Sequence, residues 1–209
     1  MIYDLVIRNG LLIDPSGSYT ADVAITGTQI ACIGSGLSGK REIDATGKYV
    51  TPGAIDGHVH MRTERDAFCY DDTFKTGSVA AAFGGTTTII DQVQAEPGRT
   101  LSNELDTRMV LAEGQSCVDF AFHMNIREPT AERLAEIPAI VARGIPSFKW
   151  FMAIPGWGVP DEFLQRGMFD VAAVGGLSIV HAENQGVILE MRRRAAAAGR
   201  RDILDFTRN

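Results

Sequence analysis

Residues 52–60, Pro52-Gly53-Ala54-Ile55-Asp56-Gly57-His58-Val59-His60, mark the point at which the chain changes character. Upstream, Leu5 and Ile7 alternate around Val6 before Asn9-Gly10, and Val23 and Ile25 alternate with Asp22 and Ala24 before Gly27. A period of two reads as short strands, and Asn-Gly as a turn between them, so residues 1–51 are expected to form a small β module, an incomplete sandwich. Downstream, apolar strand-like runs alternate with helical periodicity. Strands are expected near Ala54–His60, Thr86–Val93, Val118–Met124, Pro146–Met152 and Leu177–Glu183, at start-to-start spacings of 32, 32, 28 and 31 residues. Near-constant spacing implies a repeated βα unit over residues 52–209. Such units build either a doubly wound sheet or part of a (β/α)8 barrel, and five units fall three short of a closed barrel.

The intervening segments carry helical signals. Leu101, Leu105, Met109 and Ala112 recur at steps of four and three residues, ended by Gly114. Asp71-Asp72 and Pro160-Asp161-Glu162 offer acidic first turns, and Asn184 is placed as an N-cap before Val187, Ile188 and Met191. Pro138 should kink or restart the third helix.

Composition narrows the function classes. The 209 residues carry 20 Lys+Arg against 26 Asp+Glu, a net charge of −6 that argues against nucleic acid as a partner. With 45% apolar and 22% charged residues, the chain suits a folded core rather than disorder. Its longest uncharged stretch, Val23 to Gly39, is broken by four glycines, so no membrane span is expected. Asp4 sits where a secretory leader would be cationic, and the three cysteines, Cys32, Cys69 and Cys117, have no ligand spacing. Both features predict a cytoplasmic protein with free thiols.

The four histidines all fall in or just after expected strands. Residues i and i+2 of a strand share a face, so His58 and His60 present two imidazoles side by side, as a metal site requires; a surface loop is the alternative. The preceding residues lead a strand expected to be buried into that pair, and barrels build active sites at the C-terminal ends of their strands. Lys149 lies in the otherwise apolar run Ser147-Phe148-Lys149-Trp150-Phe151-Met152. A buried ammonium must be paired, neutralised or modified, so Lys149 either snorkels to a carboxylate or has a functional role. His181 reads equally as a core histidine or a ligand.

Five blocks in this order resemble the N-terminal half of the cyclic amidohydrolases. They are Asp56-Gly57-His58-Val59-His60, Phe83-Gly84-Gly85-Thr86-Thr87-Thr88-Ile89-Ile90-Asp91, Asp119-Phe120-Ala121-Phe122-His123-Met124, Phe148-Lys149-Trp150-Phe151-Met152-Ala153 and His181-Ala182-Glu183-Asn184. The branch most similar is that of the dihydropyrimidinases and hydantoinases within the amidohydrolase superfamily. The resemblance implies a (β/α)8 TIM barrel, here truncated after about five βα units and preceded by a small β-sandwich module. It implies two divalent metal ions, usually zinc. His58 and His60 would bind one, His181 the other, and a carbamate formed from CO2 on Lys149 would bridge them. A metal-bridging hydroxide would then open a cyclic amide C–N bond.

The resemblance places a further histidine ligand and a proton-shuttling aspartate on later strands, beyond Asn209, so the 209-residue chain alone is expected to be inactive, with open strand edges. The longer parent is expected to be a homotetramer. Ile154 stands where the hydantoinases carry an oxyanion-steadying tyrosine. His58-Val59-His60-Met61-Arg62 resembles the His-x-His-x-Arg of dihydroorotases, in which Arg62 would hold a substrate carboxylate; a solvated arginine is the other reading. A dihydroorotase- or allantoinase-like specificity, and a non-catalytic dihydropyrimidinase-related scaffold, are therefore the alternatives. His123 and Asp91 are expected to support the site or the fold rather than bind metal, Cys69 to be a loop thiol, and Arg192-Arg193-Arg194 with Arg200-Arg201 a solvated helix face.

Overall fold

The computed structural model describes residues 2–62, 64–65, 68–69 and 71–202. The chain divides into two units, Met1–Ala54 and Ile55–Asn209.

The first unit is one five-stranded sheet. Strands β1 (Tyr3–Asp14), β2 (Gly17–Thr26), β3 (Gln29–Gly34) and β4 (Gly39–Asp44) lie in the order β3-β2-β1-β4, and β5 (Tyr49–Val50) also pairs with β1. β1 runs antiparallel to β2 and parallel to β4 and β5. The Asn9-Gly10 turn expected from sequence is absent: β1 continues through it as a bulge. The register with β2 jumps from Ile7↔Val23 to Gly10↔Ala21, and Asn9 takes a φ of 60°. The buried Asp22 carboxylate holds this kink by accepting the Asn9 N–H at 2.9 Å, and it also accepts the Leu37 N–H at 3.1 Å. A long-range contact thus turned a local turn signal into a bulge, a device that bends a strand without ending it. Glycine is needed at position 10 because a Cβ there would lie 2.4 Å from Val50 Cγ2.

In the second unit, β6 (Ala54–Val59) is followed by a hairpin of β7 (Glu64–Arg65) and β8 (Phe68–Cys69), so Cys69 belongs to a short strand rather than to a loop. Helix α1 (Phe74–Phe83), strand β9 (Thr86–Gln94), α2 (Leu101–Ala112), β10 (Asp119–Asn125), α3 (Ala131–Ala135), α4 (Ile137–Ala142), β11 (Ser147–Phe151), α5 (Asp161–Ala173), β12 (Leu177–His181) and α6 (Gln185–Ala197) complete it. Pro138 in the first turn of α4 accounts for the restart after α3. Asn184 caps α6 by accepting the Val187 N–H at 3.0 Å, and Asp161 and Glu162 open α5. Asp71 and Asp72 instead precede α1, whose cap is Thr73 in a reciprocal box with Thr76. That box satisfies two backbone N–H groups that an acidic pair outside the helix would leave open.

The main sheet has the order β12-β11-β10-β9-β6, chain order without reversal. β9 to β12 are parallel, with Gln92↔His123, Asn125↔Lys149 and Phe151↔His181 in register. Alternation gives each strand two distinct faces. Ile89 and Val93, Phe122 and Met124, and Phe148 and Trp150 pack with Leu101, Leu105, Ile137, Ile140, Phe163 and Val171 of the helices. Gln92, Gln94, His123, Asn125, Ser147 and Lys149 occupy the opposite face. That face is concave: from β10, His123 Nε2 reaches the Gly57 carbonyl oxygen on β6 at 2.9 Å, passing over β9. In a flat sheet, strands two apart are separated by roughly 9–10 Å. Unreversed order, apolar contacts on one face and this curvature are the geometry of a barrel wall, not of a doubly wound sheet. β6 differs from its expected burial. It is an edge strand, and Ile55 within it is 66% exposed.

Candidate metal centre

The C-terminal ends of the strands deliver the side chains that the sequence singled out. His58 lies one residue before the end of β6 and His60 just past it; their ring centroids are 5.3 Å apart. Lys149, on β11, is only 6% exposed, and His181 ends β12, stacked at 5.8 Å on Phe151. His58, His60, Lys149 and His181 line one cavity of about 160 Å³. Gln92, Gln94, Phe151, Ile154 and Trp157 complete its walls. Trp157 is braced by the Arg127 guanidinium 3.8 Å over its ring and by an edge contact with Phe151.

The electrostatics favour neutral nitrogen donors. Burial, and then the charge of Lys149, pushes the His58 imidazole below its ordinary value; burial and then His58 do the same to His60. Burial lowers Lys149 as well. Among the described residues no carboxylate stands within ion-pair distance of its Nζ, which lies 5.5 Å from the centroid of the Phe151 ring. The snorkelling alternative therefore finds no partner. His181 Nε2 is hydrogen-bonded to the Glu183 carboxylate. A carboxylate only accepts, so Nε2 carries the proton of this bond, and a neutral ring would keep the lone pair on Nδ1.

His123 offers no such lone pair. Its Nε2 donates to the Gly57 carbonyl and its Nδ1 lies 2.5 Å from Ser147 Oγ, so the ring ties β6, β10 and β11 together. Asp91 points to the helix side of β9. It accepts the Met61 N–H at 2.9 Å and pairs with Arg108 of α2, which also donates to the Met61 carbonyl oxygen. This clasp fixes the chain directly after His60. Arg62 is exposed and lies outside the histidine cavity, in a neighbouring one that shares Gln92 and Gln94. Ile154 lines the histidine cavity at a φ of 75°, its N–H held by Gln185 Oε1 at 2.6 Å.

No family model matches the chain. A D-hydantoinase of Streptomyces coelicolor is 40% identical over 205 residues, covering 94% of this chain and 44% of the relative. A D-hydantoinase of Geobacillus stearothermophilus is 39% identical over 201 residues, covering 94% and 43%. The crystal structure of a dihydropyrimidinase from Brevibacillus agri superposes with a TM-score of 0.87 at 37% identity, covering 94% of this chain and 44% of that one. This chain is homologous to part of a hydantoinase. It spans less than half the length of these hydantoinase relatives.

Whether the cavity suits a metal depends on its donors. Among the described residues, no three or more His, Cys, Asp or Glu side chains form a group that could hold a metal ion. The cavity holds one histidine pair and one single histidine ring, so a metal there would need further donors, and Lys149 is the remaining titratable side chain that lines it. Imidazoles held neutral and a buried amine of lowered basicity fit that requirement, provided the amine is converted to an oxygen donor. Sequence reasoning overlooked Gln92, Gln94 and Asn125. The signal was present, since Gln92 and Gln94 stand at alternate positions of Thr86–Gln94, opposite in phase to the apolar Ile89 and Val93.

Proposed function

We propose that this cavity is the metal-binding part of the active site of a hydantoinase-type enzyme, which hydrolyses a C–N bond of a cyclic amide. The observation that carries the reading is the buried Lys149, with no carboxylate partner among the described residues, in one cavity with His58, His60 and His181. A neutral amine is the form that reacts with CO2: the Nζ lone pair forms an N–C bond, one C=O π pair moves onto oxygen, and an N–H bond breaks as its proton leaves to solvent. The lowered basicity of Lys149 favours that form. The resulting carbamate replaces a costly cation by an anion with two oxygen donors. His58 and His60 would hold one divalent ion, His181 the second, with the Lys149 carbamate shared by both. When bound, the ions supply a Lewis acid for the ring carbonyl and an acidified water. Zinc is the expected metal, and the first unit's single sheet is read as one layer of a sandwich. The hydantoinase names of the relatives support the substrate class.

Zinc uptake with and without 13C-labelled bicarbonate tests the reading. Bicarbonate should strengthen zinc binding and give a carbamate carbonyl signal that Lys149→Ala abolishes. Zinc binding indifferent to bicarbonate and to Lys149→Ala would overturn it.

A further inference from the structure

The concave face carries a group that metal binding leaves without a role. Gln92 is 2% exposed, and among the described residues neither its Oε1 nor its Nε2 has a hydrogen-bond partner. It stands at the histidine cavity and also at the neighbouring one containing Arg62. An unpaired buried carboxamide destabilises a fold, because its lost hydration is not replaced. Leu or Met would fill the position without that cost, so the amide calls for another explanation.

Resting on the function proposed above, we infer that Gln92 is a specificity-determining residue that recognises the amide edge of the ring. An amide within a small ring is locked cis, so its N–H and C=O point the same way. A primary carboxamide presents the complementary pair: Nε2–H donates to the ring carbonyl while Oε1 accepts the ring N–H. Two contacts fix the orientation of the ring as well as its identity. They also explain why an amide serves where an acid or a base would not, since the edge to be read is neutral and carries one donor and one acceptor. Gln94, two residues on along the same face and half-buried, lines both cavities with Gln92. A site built on buried hydrogen-bonding groups rejects analogues that leave those groups unpaired.

The test uses the 15N-labelled chain with hydantoin and with 1,3-dimethylhydantoin, which lacks both ring N–H groups. The Gln92 side-chain NH2 pair is assigned by its disappearance in Gln92→Leu, or in Gln92→Met should that variant not fold. Hydantoin should shift this pair and bind at least tenfold more tightly than its dimethyl analogue, and Gln92→Leu should bind the two alike. Gln92→Leu should also raise the melting temperature, whereas a residue serving only the fold would lower it. An unmoved NH2 pair, equal binding of the two probes by the unaltered chain, or a lowered melting temperature in Gln92→Leu would each overturn the inference. Zinc-induced shifts of the His58, His60 and His181 ring signals, recorded on the same sample, report separately on the metal centre.

Discussion

Lys149 and Ile154 are both residues that the fold alone would not select. A lysine amine 6% exposed, with no carboxylate among the described residues to pair its charged form, opposes folding. Lys149→Met should therefore stabilise the metal-free chain by about 1–3 kcal/mol, read from denaturation midpoints, while removing bicarbonate-dependent zinc binding. A destabilised Lys149→Met chain would show that the amine has a structural partner. Ile154 is β-branched and sits at a φ of 75°, a region that costs such side chains roughly 1–2 kcal/mol. Its N–H bond to Gln185 and its place in the cavity wall show what the strained turn achieves. Ile154→Gly should raise the melting temperature by a few degrees and loosen the cavity wall; a fall would mean that lost side-chain contacts outweigh the relieved strain.

At the scale of elements, the bulge in β1 and the contact between α5 and β11 each depend on one residue. The Asn9 N–H, followed by that of Leu37, holds the Asp22 carboxyl below its usual range, against the opposing effect of its burial. A carboxylate with a depressed folded value stabilises fully above its unfolded pKa, about 3.9, and loses that contribution as pH falls through the lower folded value. The first unit should therefore weaken below about pH 4, and Asp22→Asn should flatten that dependence in melting curves taken from pH 6 to 3. Helix α5 packs on Trp150 through Gly167, where a Cβ would lie 2.3 Å from the indole Cη2. The ring, completely buried, cannot swing away. Gly167→Ala gains helix propensity of about 1 kcal/mol, yet should lose about 1–3 kcal/mol net to the displaced ring, visible as a changed Trp150 emission.

For the molecule as a whole, strand spacing and alternation located β6, β9, β10, β11 and β12 to within a residue of their starts; β9, β10 and β11 pack one apolar face on helices, whereas β6 is exposed. The choice between two sheet topologies stayed open in the sequence, since sheet order is a relation between segments that no local pattern encodes. The bulge at Asn9 was hidden for the same reason, its cause lying thirteen residues on at Asp22. Four cavity residues stood out through chemistry, as imidazoles or a charge inside an apolar run. Gln92 and Asn125 did not, because an uncharged amide stands out only once its surroundings are known to offer it nothing. The clasp at Met61 carries one more consequence. Asp91 and Arg108 grip the peptide groups flanking that residue, so the backbone next to His60 is bolted to a helix on the convex side of the wall. An ion settling on His60 would therefore be felt behind the sheet, and slower deuterium uptake at the Met61 amide would announce its arrival without any substrate being turned over.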